Sequence, residues 1–148
     1  IIACDLYEHR VGLINDGAKR LGIDIIKPCV NDAAVYNEAL GKFDVVLCDV
    51  PCSGLGVIRR KPDIKYKTDN DFTTLCEIQY KILCNAVKYL KSGGKILYST
   101  CTLRRAENED IVNRFLKEYD YFRKVKKKTL MPHIDKTDGF YYALLEKE

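Results

Sequence analysis

Two stretches of the sequence hold thiols in settings that suit covalent chemistry. "LCDVPCSG", residues 47 to 54, places Cys48 and Cys52 on either side of Asp49 and Pro51, and "YSTCTLRR", residues 98 to 105, supplies Cys101. A thiol attacks as its thiolate, and at an ordinary pKa of about 8.5 only a few per cent is ionised at neutral pH. A reactive cysteine therefore needs help from its surroundings. Cys52 follows Pro51 in a turn closed by Gly54 and Gly56, while Cys101 ends an apolar run. If the strands carrying them are neighbours, both thiols point into one crevice. The helix expected near residue 104, with Arg104 and Arg105, would offer positive potential to Cys101.

The remaining cysteines read as packing residues. Cys48 should point into the sheet if Asp49 points to the crevice, and Cys4 reads the same way. Cys29 lies near the expected site but packs, and Cys76 and Cys84 fall on a long helix. The chain has seven cysteines, an odd number, with no CxxC pair, which predicts free thiols in a reducing, cytosolic setting and speaks against a thiol redox protein. His9 and His133 are far from any cysteine pair, so no metal site is expected.

The 148 residues, 47% hydrophobic and 31% charged, suit one globular domain. No apolar run reaches the roughly 20 residues of a membrane helix, and "IIACDLYEHR" lacks the pattern of a signal peptide. A net charge of +4 permits an acidic partner such as RNA.

The elements that must position the thiols alternate between β-branched runs and helical periods, the pattern of an α/β fold around a mostly parallel sheet. "IIACD" reads as the end of a strand. Residues 8 to 21 read as a helix with Val11, Leu13, Ile14, Ala18 and Leu21 on its apolar side, stopped by Gly22. "IDIIKPCV" is the next strand, followed by a short helix around 33 to 40. "FDVVLCDV" has the continuous apolar character of a central strand buried on both faces. Residues 51 to 71 form a long loop, and residues 72 to 90 a helix with Leu75, Ile78, Ile82, Leu83, Ala86 and Leu90 at helical spacing, ended by "KSGG". "KILYSTC" is a further strand. A helix over about 104 to 119 buries Ile111, Val112, Phe115 and Leu116, and "YFRKVKKK" and "GFYYALLEK" form an antiparallel hairpin that closes the sheet.

Four strands end in a polar residue: Asp5, Asp32, Asp49 and Cys101. In open α/β sheets ligands bind outside the carboxyl ends of the strands, so together these residues outline a site, although each alone suits a helix cap. An acid at the position of Asp5 is where nucleotide-binding folds hold ribose hydroxyls, and the glycine loop that cradles the rest of the ligand belongs about 20 residues earlier. The sequence starts after that point. Residues 1–148 are therefore expected to be part of a catalytic domain from a longer protein, without its first strand and glycine loop. The sheet should then be interrupted between the strands ending at Asp5 and Asp49, with the N-terminal part disordered, rearranged or paired with another chain.

"DVPCSGLGVIRRKPDIKY", followed by Gln79, "LKSGGKILYSTCT" and "ENED", resembles the RNA cytosine-5 methyltransferases, in particular the Sun (Fmu) type that modifies bacterial small-subunit ribosomal RNA. The resemblance runs from Asp5 to the closing "DGFYYALLEK". It implies a class I, Rossmann-like fold and S-adenosylmethionine as cofactor. It also implies that Cys101 is the nucleophile adding to carbon 6 of cytosine, and that Cys52 helps resolve the covalent adduct. DNA cytosine methyltransferases use a Pro-Cys thiol as nucleophile, which keeps Cys52 as the alternative. The implied cofactor residues are Asp5 for the ribose, Asp32 for the adenine end and Asp49 near the reacting centre. The chemistry needs no metal. Val50 stands where the family has Ala, and Tyr66 where it has Trp. With the glycine loop missing, this chain alone is expected to be inactive.

Arg59, Arg60, Lys61, Lys65 and Lys67 crowd the loop beside Cys52, with Tyr66 among them. They are expected to contact RNA phosphates and place an unstacked base over the crevice; a solvated loop is the other reading. The "RKVKKK" run suits protection of an edge strand. An amino-group methyltransferase needs no thiol and commonly shows a Pro-Pro-aromatic step in place of "DVPCS". A noncatalytic RNA-binding module would leave the Pro-Cys and Thr-Cys pair without purpose.

Overall fold

A computed structural model describes residues 1–66 and 70–148, which form two compact units, Ile1–Gly41 and Lys42–Glu148. In the first unit, β1 (Ile2–Asp5) and β2 (Lys27–Val30) pair in parallel with Asp5 opposite Val30, joined through helix α1 (Glu8–Arg20). The expected strand "IDIIKPCV" is thus shortened to its last four residues. Helix α1 ends in a Schellman turn: Ile23 N donates to Ala18 O at 2.9 Å and Gly22 N to Lys19 O at 3.1 Å, with Gly22 at φ 66°. Of the apolar side read from the sequence, Ala18 is buried, but Leu13 is 68% and Leu21 62% exposed. Two short strands and one helix offer too little surface to cover them. The short helix expected around 33 to 40 is reduced to one 3-10 turn, Glu38–Leu40.

The second unit is a four-stranded sheet in the order β3-β4-β6-β5, with β3 (Phe43–Asp49) parallel to β4 (Leu90–Thr100) and β6 (Phe140–Lys147) antiparallel to both β4 and β5 (Phe122–Leu130). The expected hairpin is present, with a short helix α4 (Pro132–Asp135) in its connection. Helix α2 (Asn70–Ala86) continues into a 3-10 turn at Val87–Tyr89, so the helix expected to run to 90 ends earlier and "KSGG" falls within the span of β4. Helix α3 (Glu109–Glu118) follows a 3-10 turn at Arg105–Glu107. Leu83 of α2, Val112 and Phe115 of α3, and Ile96, Tyr98, Tyr141, Ala143 and Leu145 of the central strands are all fully buried. Phe115 meets Phe122 edge-on at 5.1 Å, which ties α3 to the outermost strand.

Among the described residues β3 pairs with β4 alone. This corrects the reading of β3 as a central strand. It is an edge strand, and Val45 and Leu47 are 60% and 64% exposed although their run is apolar enough for a strand covered on both faces. Edge strand β5 is protected as expected, by a bulge at Val125 and by ion pairs of Arg123 with Glu146, Lys127 with Glu109 and Lys128 with Asp135. No helix among the described residues is long and apolar enough to cross a membrane.

Candidate active site

The parallel pairing of β3 and β4 sets Asp49 opposite Ser99, and Val50 N extends the ladder to Ser99 O at 3.1 Å. The chain leaving β3 is therefore held beside the chain leaving β4. Beyond the strands, Gly56 N donates to Cys101 O at 3.0 Å, and Gly139 N donates to Gly56 O at 2.8 Å. Three backbones converge there. A Cβ on Gly56 would stand 2.6 Å from the Gly139 carbonyl carbon and 2.8 Å from Cys101 O, distances that no side chain tolerates. Gly54, at φ 73°, supplies the left-handed turn that leads from the Pro-Cys segment into the 3-10 turn Leu55–Val57. The result is a contact of 3.2 Å between the Sγ atoms of Cys52 and Cys101.

At that distance the thiols share a proton. The hydrogen bond with Cys52 is the main cause that lowers Cys101 to about 7, assisted by a backbone contact and the charge of Lys61, and opposed by burial and Asp49. Cys52 is raised, first by its hydrogen bond to Cys101 and then by burial. The shifts favour the thiolate at Cys101 and the proton on Cys52. Arg104 and Arg105, expected to assist Cys101, are engaged elsewhere. Arg104 lies over the Phe72 ring at 4.1 Å and 4.0 Å from Glu107, and Arg105 pairs with Asp110 at 3.1 Å. Cys48 is buried as read, its thiol pushed up to about 12 by burial. Cys4 is exposed instead of packed, because it lies in the small first unit.

Beneath the thiols is a polar cluster that the sequence reading did not pick out. Glu107 has no exposed surface and accepts hydrogen bonds from Ser53 N at 2.8 Å, Ser53 Oγ at 2.5 Å and Gln79 Nε2 at 2.9 Å. Because Ser53 gives its hydroxyl proton to Glu107, Thr102 Oγ1 must donate to Ser53 Oγ, 2.7 Å away. Gln79 Nε2 also donates to Pro51 O at 2.9 Å. The available signal was a hydroxyl residue directly after each cysteine, Ser53 after Cys52 and Thr102 after Cys101.

Asp5 and Asp49 end their strands as read, and Asp32 lies two residues beyond β2. Asp49, in the second unit, accepts from Ser99 Oγ at 3.0 Å. In the first unit, Asp5 accepts from Tyr7 N at 3.0 Å with Arg10 at 3.8 Å, and Asp32 accepts from Ala34 N at 2.8 Å. Of the loop cations, Arg59 and Arg60 lie 3.6 and 2.8 Å from the Asp138 carboxylate. Lys61 and Lys65 are exposed, and Lys67 lies outside the described residues.

Parallel strands with reactive groups at their carboxyl ends and an antiparallel closing strand make this a Rossmann-like fold of the S-adenosylmethionine-dependent methyltransferases. The N-methyltransferase NodS from Bradyrhizobium japonicum, crystallised with S-adenosyl-L-homocysteine, shares the fold at a TM-score of 0.65 and 15% identity over 99% of this chain and 65% of that one. The chain belongs to the RsmB/F family of 16S rRNA methyltransferases, whose family model matches residues 1–146.

It is 38% identical to a Bacillus subtilis protein named "Probable ribosomal RNA small subunit methyltransferase B", over 100% of this chain and 38% of the relative. The ribosomal RNA small subunit methyltransferase B of Yersinia enterocolitica is 34% identical over 99% of this chain and 36% of its own length. The chain thus spans little more than a third of these relatives. Crystalline NSun6 from Pyrococcus horikoshii with SFG superposes at a TM-score of 0.89 with 30% identity, covering 99% of this chain and 41% of that one.

Proposed function

We propose that residues 1–148 are part of the catalytic domain of a cytosolic enzyme that methylates carbon 5 of cytosine in small-subunit ribosomal RNA through a covalent cysteine adduct. The observation that carries this reading is the 3.2 Å contact of the two thiols, in which the thiolate is favoured at Cys101. S-adenosylmethionine, when bound, supplies the methyl group. The residues of the first unit suit it: Asp5 and Asp32 each hold, at or just beyond a strand end, a carboxylate that a backbone N–H orients and that can accept from ribose hydroxyls or the adenine amino group.

The Cys101 thiolate forms an S–C bond to carbon 6 of cytosine, and the displaced π electrons make carbon 5 nucleophilic. Asp49, oriented by Ser99, can accept from the cytosine amino group. Once Cys101 is bonded to carbon, it no longer holds the Cys52 proton, and the main cause of the raised Cys52 pKa disappears. Cys52 can then lose its proton to solvent and take the proton from carbon 5. The electrons of that C–H bond restore the ring double bond and expel Cys101 as thiolate. Phosphate contacts are assigned to Arg59, Arg60, Lys61 and Lys65.

The chain alone is predicted to be inactive, since it spans little more than a third of the length of its relatives. The test is transfer of labelled methyl groups to 16S rRNA, followed by nucleoside analysis. The reading predicts 5-methylcytidine when the chain is extended at its N-terminus by the first strand and glycine loop of a family member, and none from the chain by itself. A labelled product other than 5-methylcytidine, or no product from the extended chain despite RNA binding, contradicts it.

A further inference from the structure

Cys52 and Cys101 are 49 positions apart, on two segments that leave the sheet separately. A thiol contact between mobile segments would be transient, and a hydrogen bond between thiols is too weak to hold them together. Glu107 lies where it can do so. Its Oε2 binds the backbone N–H next to Cys52, its Oε1 binds the Ser53 hydroxyl, and that hydroxyl receives the proton of Thr102, the residue next to Cys101. Through Gln79 the same carboxylate reaches Pro51, the residue preceding Cys52. Ser53, Gln79, Thr102 and Glu107 are buried, so water does not compete for the bonds among them.

From this geometry we propose that Glu107 is a positioning residue for both cysteines, a single buried carboxylate that clamps the Pro-Cys and Thr-Cys segments at thiol contact distance. Ser53 N and Gln79 Nε2 can only donate, and the Ser53 hydroxyl completes the set; bonds given to a carboxylate are charge-assisted, so a neutral carboxamide holds the same groups less strongly. The inference rests on the assignment of Cys52 and Cys101 as the reacting pair, but its test needs neither RNA nor S-adenosylmethionine.

Two readouts on this chain report the thiol contact. One is the pH midpoint of Cys101 alkylation by iodoacetamide, followed by peptide mass spectrometry. The other is the rate at which diamide, a two-electron thiol oxidant, converts the two thiols into one disulfide. In Glu107→Gln the midpoint is expected to rise from about 7 toward the ordinary thiol value, because the hydrogen bond from Cys52 is weakened. Disulfide formation should slow by about tenfold or more as the effective concentration of one thiol at the other falls.

The direction of the pH effect separates a clamp from a plain charge: deleting a negative group without moving the thiols would lower the midpoint. Glu77→Gln, which removes a surface partner of Arg114, should change neither readout. If Glu107→Gln does not fold, Ser53→Ala removes the hydroxyl link alone and should move both readouts in the same direction by less. An unchanged or lowered midpoint together with an unchanged disulfide rate, in whichever of these variants folds, overturns the proposal.

Discussion

Cys52 and Cys101 touch at 3.2 Å although 49 positions separate them in the chain. The contact makes the pair behave as one titrating unit with a single easily lost proton. A hydrogen bond to the charged form stabilises that form, so the pKa of Cys101 falls and its alkylation rate should rise through a midpoint of about 7. In Cys52→Ala the hydrogen bond is gone, and the midpoint should move up toward the ordinary thiol value. A rate profile unchanged by this substitution would mean that the thiolate is stabilised by something other than Cys52.

Gly56 is where the loop after β3, the end of β4 and the turn before β6 meet. Gly56→Ala forces the Gly139 and Cys101 backbones apart, and overpacking of this kind costs about 1–3 kcal/mol. Chemical denaturation should show that loss, and diamide should close the Cys52–Cys101 disulfide more slowly. By comparison, Leu83→Ala removes a fully buried side chain of α2, and should cost about 2–5 kcal/mol.

Arg59 and Arg60 face the Asp138 carboxylate, yet their side chains are largely exposed, so the ion pairs contribute at most about 1 kcal/mol to stability. The charges therefore remain available to a phosphate. Arg60→Ala should weaken binding to ribosomal RNA similarly across sequences and reduce the salt dependence of affinity by about one phosphate contact, with little change in melting temperature. Equal salt slopes for Arg60→Ala and the parent chain, measured by fluorescence anisotropy, would remove Arg60 from the RNA interface.

The sequence made the thiols legible because each stands at the end of an apolar run, where an α/β sheet collects its ligands. The same pattern located Asp5, Asp32 and Asp49 at or just beyond the strand ends. It misjudged β3, since an apolar run such as "FDVVLCDV" records what a strand is built to be covered by, and Val45 and Leu47 lie exposed at the edge of this sheet. It also misjudged what supports Cys101. Arg104 and Arg105 are close in sequence, but the groups that act on the thiol, Cys52 and Lys61, come from a distant loop. Glu107 was hidden for a related reason. In "ENED" it reads as one more acid at the start of a solvated helix, and only the packing of α2 against α3 and the loop after β3 encloses it.

The central claim is that Cys101 attacks cytosine and Cys52 releases the adduct. The most direct measurement uses the chain extended by the first strand and glycine loop, with Cys52→Ala and Cys101→Ala variants, mixed with S-adenosylmethionine and ribosomal RNA and run on a denaturing gel. The account predicts a covalent protein–RNA band that accumulates with Cys52→Ala and is absent with Cys101→Ala. A band that persists in Cys101→Ala and vanishes in Cys52→Ala would make Cys52 the nucleophile and contradict it.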